Sequence, residues 1–258
     1  MKITVVTPSF NQGSFIEETI RSVMHQDHGE VEHIVVDGGS TDNTVEILRK
    51  YDHLRWVSEK DSGQSNAINK GFRMATGGIL AWLNSDDMYE ENVLGAVAGY
   101  FEDHPDCMLA YGDITFVDRS GARMFAITGG TMDYASLLEN PDRVRQPSCF
   151  WRSELVRELG GLDEDLHLAM DFDFLVRAGA RHRFYYLPRS LSRFRSYDEN
   201  KSWSSHRRQI REILGVYRKN KLRLTAHTAG ILARNYARSY PAVDRLARLI
   251  LSPRGAQG

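Results

Sequence analysis

The sequence predicts an α/β fold in which a mostly parallel sheet is flanked by helices and followed by a helical extension. Three observations lead there. Short apolar runs alternate with stretches of helical spacing through the first half of the chain. The run Ile79-Leu80-Ala81-Trp82-Leu83 is apolar without a break, as in a strand buried on both faces. The charge is divided: residues 1–200 carry 20 Lys and Arg against 32 Asp and Glu, whereas residues 201–258 carry 13 against 2.

Taken in order, residues 3–7 form a strand, and residues 14–24 form a helix with Phe15, Ile20 and Val23 on one side. A strand over 33–36 ends at Asp37. A helix over 44–51 follows, then a strand over 54–58, a helix over 64–75 and the apolar strand 79–83. A further helix over about 91–101 leads to a strand near 108–111. Strands separated by helices of this length pair in parallel, which gives a Rossmann-like sheet. At 258 residues, 41% of them hydrophobic, the chain is long enough for a substantial core. It contains no internal repeat.

The polar residues collect where strands end. The four ends read Thr7-Pro8-Ser9-Phe10-Asn11, Asp37-Gly38-Gly39-Ser40-Thr41-Asp42, Glu59-Lys60-Asp61-Ser62-Gly63-Gln64 and Asn84-Ser85-Asp86-Asp87. In a parallel sheet these loops converge on one edge, where ligands bind. Two adjacent carboxylates repel each other, and a cation between them and a polyanion relieves that repulsion. Asp87, with Asp86 beside it, is therefore expected to hold Mg²⁺ or Mn²⁺ against a nucleoside diphosphate. The alternative is a polar turn that caps the next helix.

Several classes are excluded. No G-x-G-x-x-G follows the first strand, and no G-x-x-x-x-G-K-[ST] is present, so dinucleotide and P-loop sites are not expected. The nine histidines form no zinc spacing, and His25-Gln26-Asp27-His28 reads as a polar loop. Cys107 and Cys149 suggest neither a disulfide framework nor a metal site, so a reducing compartment is expected. No leader pattern precedes the first strand, and no window approaches 18 apolar residues, so the expected location is cytoplasmic.

The four strand-end motifs, with the run from Ser58 through Gln64, Asn66 and Lys70 to Gly71, resemble the inverting glycosyltransferases of family 2 over roughly residues 1–200. The resemblance implies the GT-A fold and a metal-dependent transfer of sugar from a nucleotide donor, expected to be a UDP-sugar, to a glycan or lipid-linked hydroxyl. Surface-polysaccharide assembly is the expected setting. It also implies roles: Thr7 and Pro8 at the base pocket, Asp37 on the base, Asp61 and Lys70 near ribose and diphosphate, Asp86 near ribose and metal, and Asp87 as main metal ligand. Gln146 and Pro147 would lie on the acceptor side, though a proline-opened edge strand is the alternative there. Gly160-Gly161-Leu162-Asp163 resembles the turn before the catalytic helix.

Asp171 matches the family's general base. Asp171 and Asp173 lie about 200° apart on a helix, so they are not expected to share a job, and Asp173 is read as structural. One departure concerns the metal. The family commonly carries an aromatic-Arg-x-His run, whereas this chain has Phe194-Arg195-Ser196-Tyr197. Arg195 keeps an expected diphosphate contact, but Tyr197 is a poor ligand for Mg²⁺ or Mn²⁺. Two other classes stay open: a sugar nucleotidyltransferase and a non-catalytic sugar-nucleotide-binding protein.

The tail shows basic amphipathic spacing at Ile210, Ile213, Leu214 and Tyr217, and again at Val243, Leu246, Ala247 and Ile250. Such helices either lie peripherally on an anionic membrane surface, here the inner face of the cytoplasmic membrane, or pack on the catalytic domain. The acidic body gives no expectation of nucleic-acid binding. The resulting organisation is a nucleotide-sugar-binding half (1–115), an acceptor-binding half of the same catalytic domain (116–200) and a basic helical extension (201–258).

Overall fold

The computed structural model describes residues 1–141, 145–197 and 205–237. Strands β1 (Ile3–Ser9), β2 (Val31–Asp37), β3 (Arg55–Ser58) and β4 (Ile79–Trp82) alternate with helices α1 (Ile16–Met24), α2 (Thr44–Leu48) and α3 (Gln64–Met74). All four strands run parallel, in the order β3-β2-β1-β4. Every residue of β1 and β4 is buried, β4 as its unbroken apolar run requires and β1 with Thr4, Thr7 and Ser9 buried among its apolar residues. The strand ends bearing the polar motifs therefore lie along one edge.

The second half of the sheet is mixed. Strand β5 (Met88–Tyr89) is followed by α4 (Val93–Asp103), β6 (Leu109–Val117), β7 (Arg123–Ile127), α5 (Tyr134–Glu139), β8 (Cys149–Arg152), α6 (Ser153–Leu159), α7 (Met170–Gly179) and β9 (Tyr185–Arg195). Strand β8 runs antiparallel between β4 and β6, while β9 is parallel to β6 and antiparallel to β5. The edge-strand alternative at Pro147 is thus corrected. Gln146–Ser148 form a 3₁₀ turn, and β8, which begins at Cys149, is central. Proline is tolerated because it precedes the strand and withholds no ladder hydrogen bond.

The polar loop after α1 has a capping role. Gln26 Oε1 accepts from the amides of Val93 (2.8 Å) and Leu94 (3.1 Å) at the start of α4. The Gly-Gly turn after α6 holds Gly160 at φ 75° and Gly161 at φ 81°. A side chain at position 161 would also meet Asn69 Oδ1 at 2.6 Å.

Helices α8 (His206–Lys219) and α9 (Ala226–Ala237) pack on this body. Ile210, Ile213, Val216 and Tyr217 are buried in the same core cluster as α7, and the Tyr217 ring stacks on Phe172 at 5.8 Å. The apolar face of α8 is therefore taken up by the domain, although Leu214 is exposed. The amphipathic segment 243–250 lies outside the described residues. Among the described residues, no helix is long and apolar enough to cross a membrane.

Candidate active site

A cavity of about 670 Å³ opens at the carboxyl edge of the parallel strands. Pro8 reaches it from β1, Asp61, Gly63 and Gln64 from the loop after β3, and Asn84, Ser85 and Asp86 from the turn after β4. The opposite wall comes from the second half and includes Gln146, Pro147, Phe116, Phe194, Tyr197 and the stretch from His167 to Phe172. Asp86 and Asp171 thus line one cavity from different halves of the molecule.

The turn carrying Asp86 is held from several sides. Asn84 Oδ1 accepts from Trp82 Nε1 and from Gln64 Nε2, each at 2.9 Å. The Thr19 hydroxyl lies 2.7 Å from the Asp87 carbonyl oxygen and 2.9 Å from that of Ser85. Arg195 Nε donates to the Asp86 carbonyl oxygen at 3.0 Å.

The two acids then diverge. Asp86 lines the cavity and accepts from the Tyr197 hydroxyl at 2.8 Å. Asp87 is 1% exposed and turned inward, accepting from the Arg195 amide (3.1 Å) and Asn84 Nδ2 (3.1 Å). Of the pair expected to hold the metal, Asp87 thus lies buried with its carboxylate helping to hold the turn, and Asp86 is the member that lines the cavity. Burial raises the pKa of both, and the neighbouring Asp86 charge raises that of Asp87 further.

Tyr197 stands where the family's histidine was expected. Burial and the Asp86 charge raise its pKa, so it remains a hydrogen-bond donor to Asp86. No group of three His, Cys, Asp or Glu gathers among the described residues. Asp86, the cavity-facing member of the pair, still fits Mg²⁺ or Mn²⁺, which commonly keep several waters and share substrate phosphates with one or two carboxylates.

Asp37 is fully buried at the end of β2. Its carboxylate accepts from the amides of Ser40 (2.9 Å) and Gly39 (3.2 Å), the Ser58 hydroxyl (2.6 Å) and the Ser40 hydroxyl. Asp61 accepts from the Gly63 amide at 2.9 Å, and a Cβ at Gly38 would lie only 2.7 Å from its carboxylate. Gly38 therefore permits the second and third loops to meet. Thr7 is buried, with its hydroxyl 2.9 Å from His33 Nε2, and does not line the cavity.

The two basic side chains expected near the diphosphate, Lys70 and Arg195, are both ion-paired. Lys70 is paired with Glu59 away from the cavity lining. The Arg195 side chain is 1% exposed, and its guanidinium donates to the Arg119 carbonyl oxygen and Glu18 Oε2, each at 2.6 Å. Among the described residues lining the cavity, Arg145 is the one lysine or arginine. Its buried Nε has no hydrogen-bond partner among the described residues. Sequence reading missed it because it belongs to none of the strand-end motifs.

On the far wall, Gln146 Nε2 donates to the Trp82 carbonyl oxygen at 2.5 Å, joining the Gln146–Ser148 turn to β4. Asp171 lies in the first turn of α7, where aligned peptide dipoles favour a carboxylate. Its Oδ1 accepts from the Phe172 amide at 2.8 Å. Asp173 is fully buried on another face and pairs with Arg177 at 2.8 Å. Arg177 also donates to the carbonyl oxygens of Leu159 and Gly161, so this pair locks the Gly-Gly turn to α7.

Known proteins resemble this arrangement at two levels. The model of the glycosyl transferase family 2 matches residues 4–159. A PGL/p-HBAD biosynthesis glycosyltransferase of Mycobacterium tuberculosis is 30% identical over 180 residues, covering 67% of this chain and 68% of the relative. An uncharacterized glycosyltransferase of the same species is 32% identical over 184 residues, 68% of each protein. Among solved structures, S. aureus TarS 1–349 in complex with UDP-GlcNAc superposes with a TM-score of 0.68 at 20% identity, over 98% of this chain and 77% of TarS. The mannosyltransferase PcManGT of Pyrobaculum calidifontis, in complex with GDP-Man and Mn²⁺, gives 0.64 at 20% identity, over 98% of this chain and 76% of its own. The fold is that of the GT-A glycosyltransferases. The chain is a glycosyltransferase and belongs to family 2.

Proposed function

We propose that this enzyme transfers a sugar from a nucleoside diphosphate donor, a UDP-sugar, to the hydroxyl of a glycan or lipid-linked acceptor with inversion at the anomeric carbon. One observation carries the reading: Asp86 and Asp171 line the same cavity from opposite halves of the molecule. The acceptor oxygen attacks the anomeric carbon as the bond to the diphosphate breaks. Asp171 accepts the hydroxyl proton, which makes a weak nucleophile competent. Attack opposite the leaving group inverts the centre.

Pro8 and Asp61 line the nucleotide side, with Asp37, the residue proposed for the base, buried behind them and held by Ser40 and Ser58, and with Thr7 held through His33. Gln146 and Pro147 form the acceptor side. Arg145 takes the diphosphate contact assigned earlier to Lys70 and Arg195, because a guanidinium matches phosphate geometry. Asp86 is the carboxylate that would hold Mg²⁺ or Mn²⁺, and the ion would neutralise charge on the departing diphosphate. The nucleotidyltransferase and non-catalytic alternatives lose their basis with the family assignment.

A lipid-linked acceptor in surface-polysaccharide assembly would bring the enzyme peripherally to an anionic membrane. The exposed Arg207, Arg211 and Arg218 of α8 support that placement through charge alone. Thermal-shift screening of UDP-, GDP-, dTDP- and CMP-sugars, each with and without Mn²⁺, tests the donor. The expected result is metal-dependent stabilisation by UDP-sugars. Stabilisation by GDP-sugars alone would contradict the base assignment.

A further inference from the structure

Helix α7 begins without a cap of its own. Its N-cap is Ala169, which has no side-chain acceptor, so the amides around the helix start need another partner. That partner comes from α8, beyond the family-matched segment. Glu212 Oε2 accepts from the amides of His167 (3.0 Å), Leu168 (2.7 Å) and Ala169 (3.1 Å). Its other oxygen accepts from Arg208 Nε at 2.9 Å, and the side chain is 11% exposed.

The same loop is held on its other side by the donor half. The Ser65 hydroxyl donates to the Leu166 carbonyl oxygen at 2.8 Å, and Asn69 Nδ2 donates to that of Leu162 at 2.9 Å. His167, Leu168 and Ala169 line the cavity, and Asp171 follows two residues later. Glu212 is one of only 2 acidic residues in the basic stretch 201–258.

We infer that Glu212 is a positioning residue for the reaction: by capping α7 from α8 it fixes where the Asp171 carboxylate stands in the cavity. This rests on the reading of Asp171 as general base. Loss of the cap frees the 167–169 amides and lets the first turn of α7 shift. A small displacement of a catalytic group costs rate far more than it costs donor affinity.

The test measures UDP release from an equimolar mixture of UDP-glucose, UDP-galactose and UDP-N-acetylglucosamine with water as acceptor. Hydrogen exchange at 167–169 is followed in the same proteins. Glu212→Ala should lower kcat by about tenfold or more with KM within about twofold, and should speed exchange at those amides. Glu212→Gln retains one acceptor oxygen and should recover part of the rate. It also serves as the test variant if Glu212→Ala does not fold. Asp171→Asn is the control and should lose the release. If Asp171→Asn is inactive while both Glu212 variants keep wild-type kcat, the positioning role is overturned alone. A raised KM with intact kcat overturns it as well. Wild-type release by Asp171→Asn instead overturns the base assignment.

Discussion

The donor wall and the acceptor wall of the cavity are built differently. On the donor side, each loop follows directly from a parallel strand, and Asp37 and Asp61 are held within or between neighbouring loops, whereas the Asp86–Asp87 turn is also tied to Thr19 and Arg195. On the acceptor side, position comes from distant partners. Gln146 reaches Trp82, Arg177 reaches the turn at Leu159 and Gly161, and Glu212 reaches back to the start of α7. Asp37 and Asp61 are thus placed locally by short motifs, whereas the placement of Asp171, the proposed base, depends on the whole second half.

If that contrast holds, the largest effect belongs to the proposed base. Asp171→Asn should lower the transfer rate by about a thousandfold, within the range of a lost general base, while UDP affinity stays within about twofold. Parallel steady-state kinetics and calorimetric titration with UDP check both halves of the statement.

Next comes the interlock. Removing the guanidinium in Arg177→Met strips Asp173 of its 2.8 Å partner in the interior. Breaking a buried pair in this way should cost about 3–5 kcal/mol, read as a lowered urea midpoint. An equally stable variant would show that the Arg177 pair is not what holds α7, Lys219 lying 3.9 Å from the other Asp173 oxygen.

A smaller effect separates the two adjacent acids. Asp86→Asn should remove the Mn²⁺-dependent part of the thermal shift given by UDP while leaving the stability of the free protein nearly unchanged. Asp87→Ala should do the reverse in kind. It leaves the Arg195 amide and Asn84 without their acceptor, at about 1–3 kcal/mol of stability.

The smallest effect lies under the nucleotide side. His33 is buried, and desolvation lowers its pKa from 6.5 to about 3. The unfolded chain takes up this proton below pH 6.5 and the folded one does not. The associated stability is therefore present above pH 6.5 and lost as pH falls towards 3. Between pH 7.5 and 5.5 this amounts to about 1.4 kcal/mol. His33→Gln should flatten that part of the urea-midpoint profile.

The same contrast explains what could be read from the sequence. Strands β1, β2 and β4 were legible as short, mainly buried runs and β3, though partly exposed, as a short run between helical stretches; each ends in a polar motif, and four such ends imply one edge. Strands β5, β7 and β9 were not. β5 has only 2 residues, β7 is largely exposed, and β9 mixes apolar residues with Pro188, Arg189 and Arg193. That Asp171 and Asp173 lie on different faces of α7 was legible from helical geometry. Which of Asp86 and Asp87 faces the cavity was not, because adjacent residues in a turn are oriented by Asn84, Thr19 and Arg195 rather than by a period. Arg195 and Lys70 carry the right charge for a phosphate, but Glu18 and Glu59 already engage them. Neither pairing leaves a mark on local spacing, the Glu18–Arg195 pair least of all, since it spans 177 residues.

The central claim is that the carboxyl edge of the parallel strands binds the donor with Asp86, not Asp87, as the carboxylate at its phosphates. A crystal structure with UDP and Mn²⁺ tests it most directly. The account predicts the nucleotide along Pro8 and Asp61, with the metal on an Asp86 oxygen and the β-phosphate directed towards the wall that carries Asp171. Metal density on Asp87, or UDP bound outside this cavity, would contradict it.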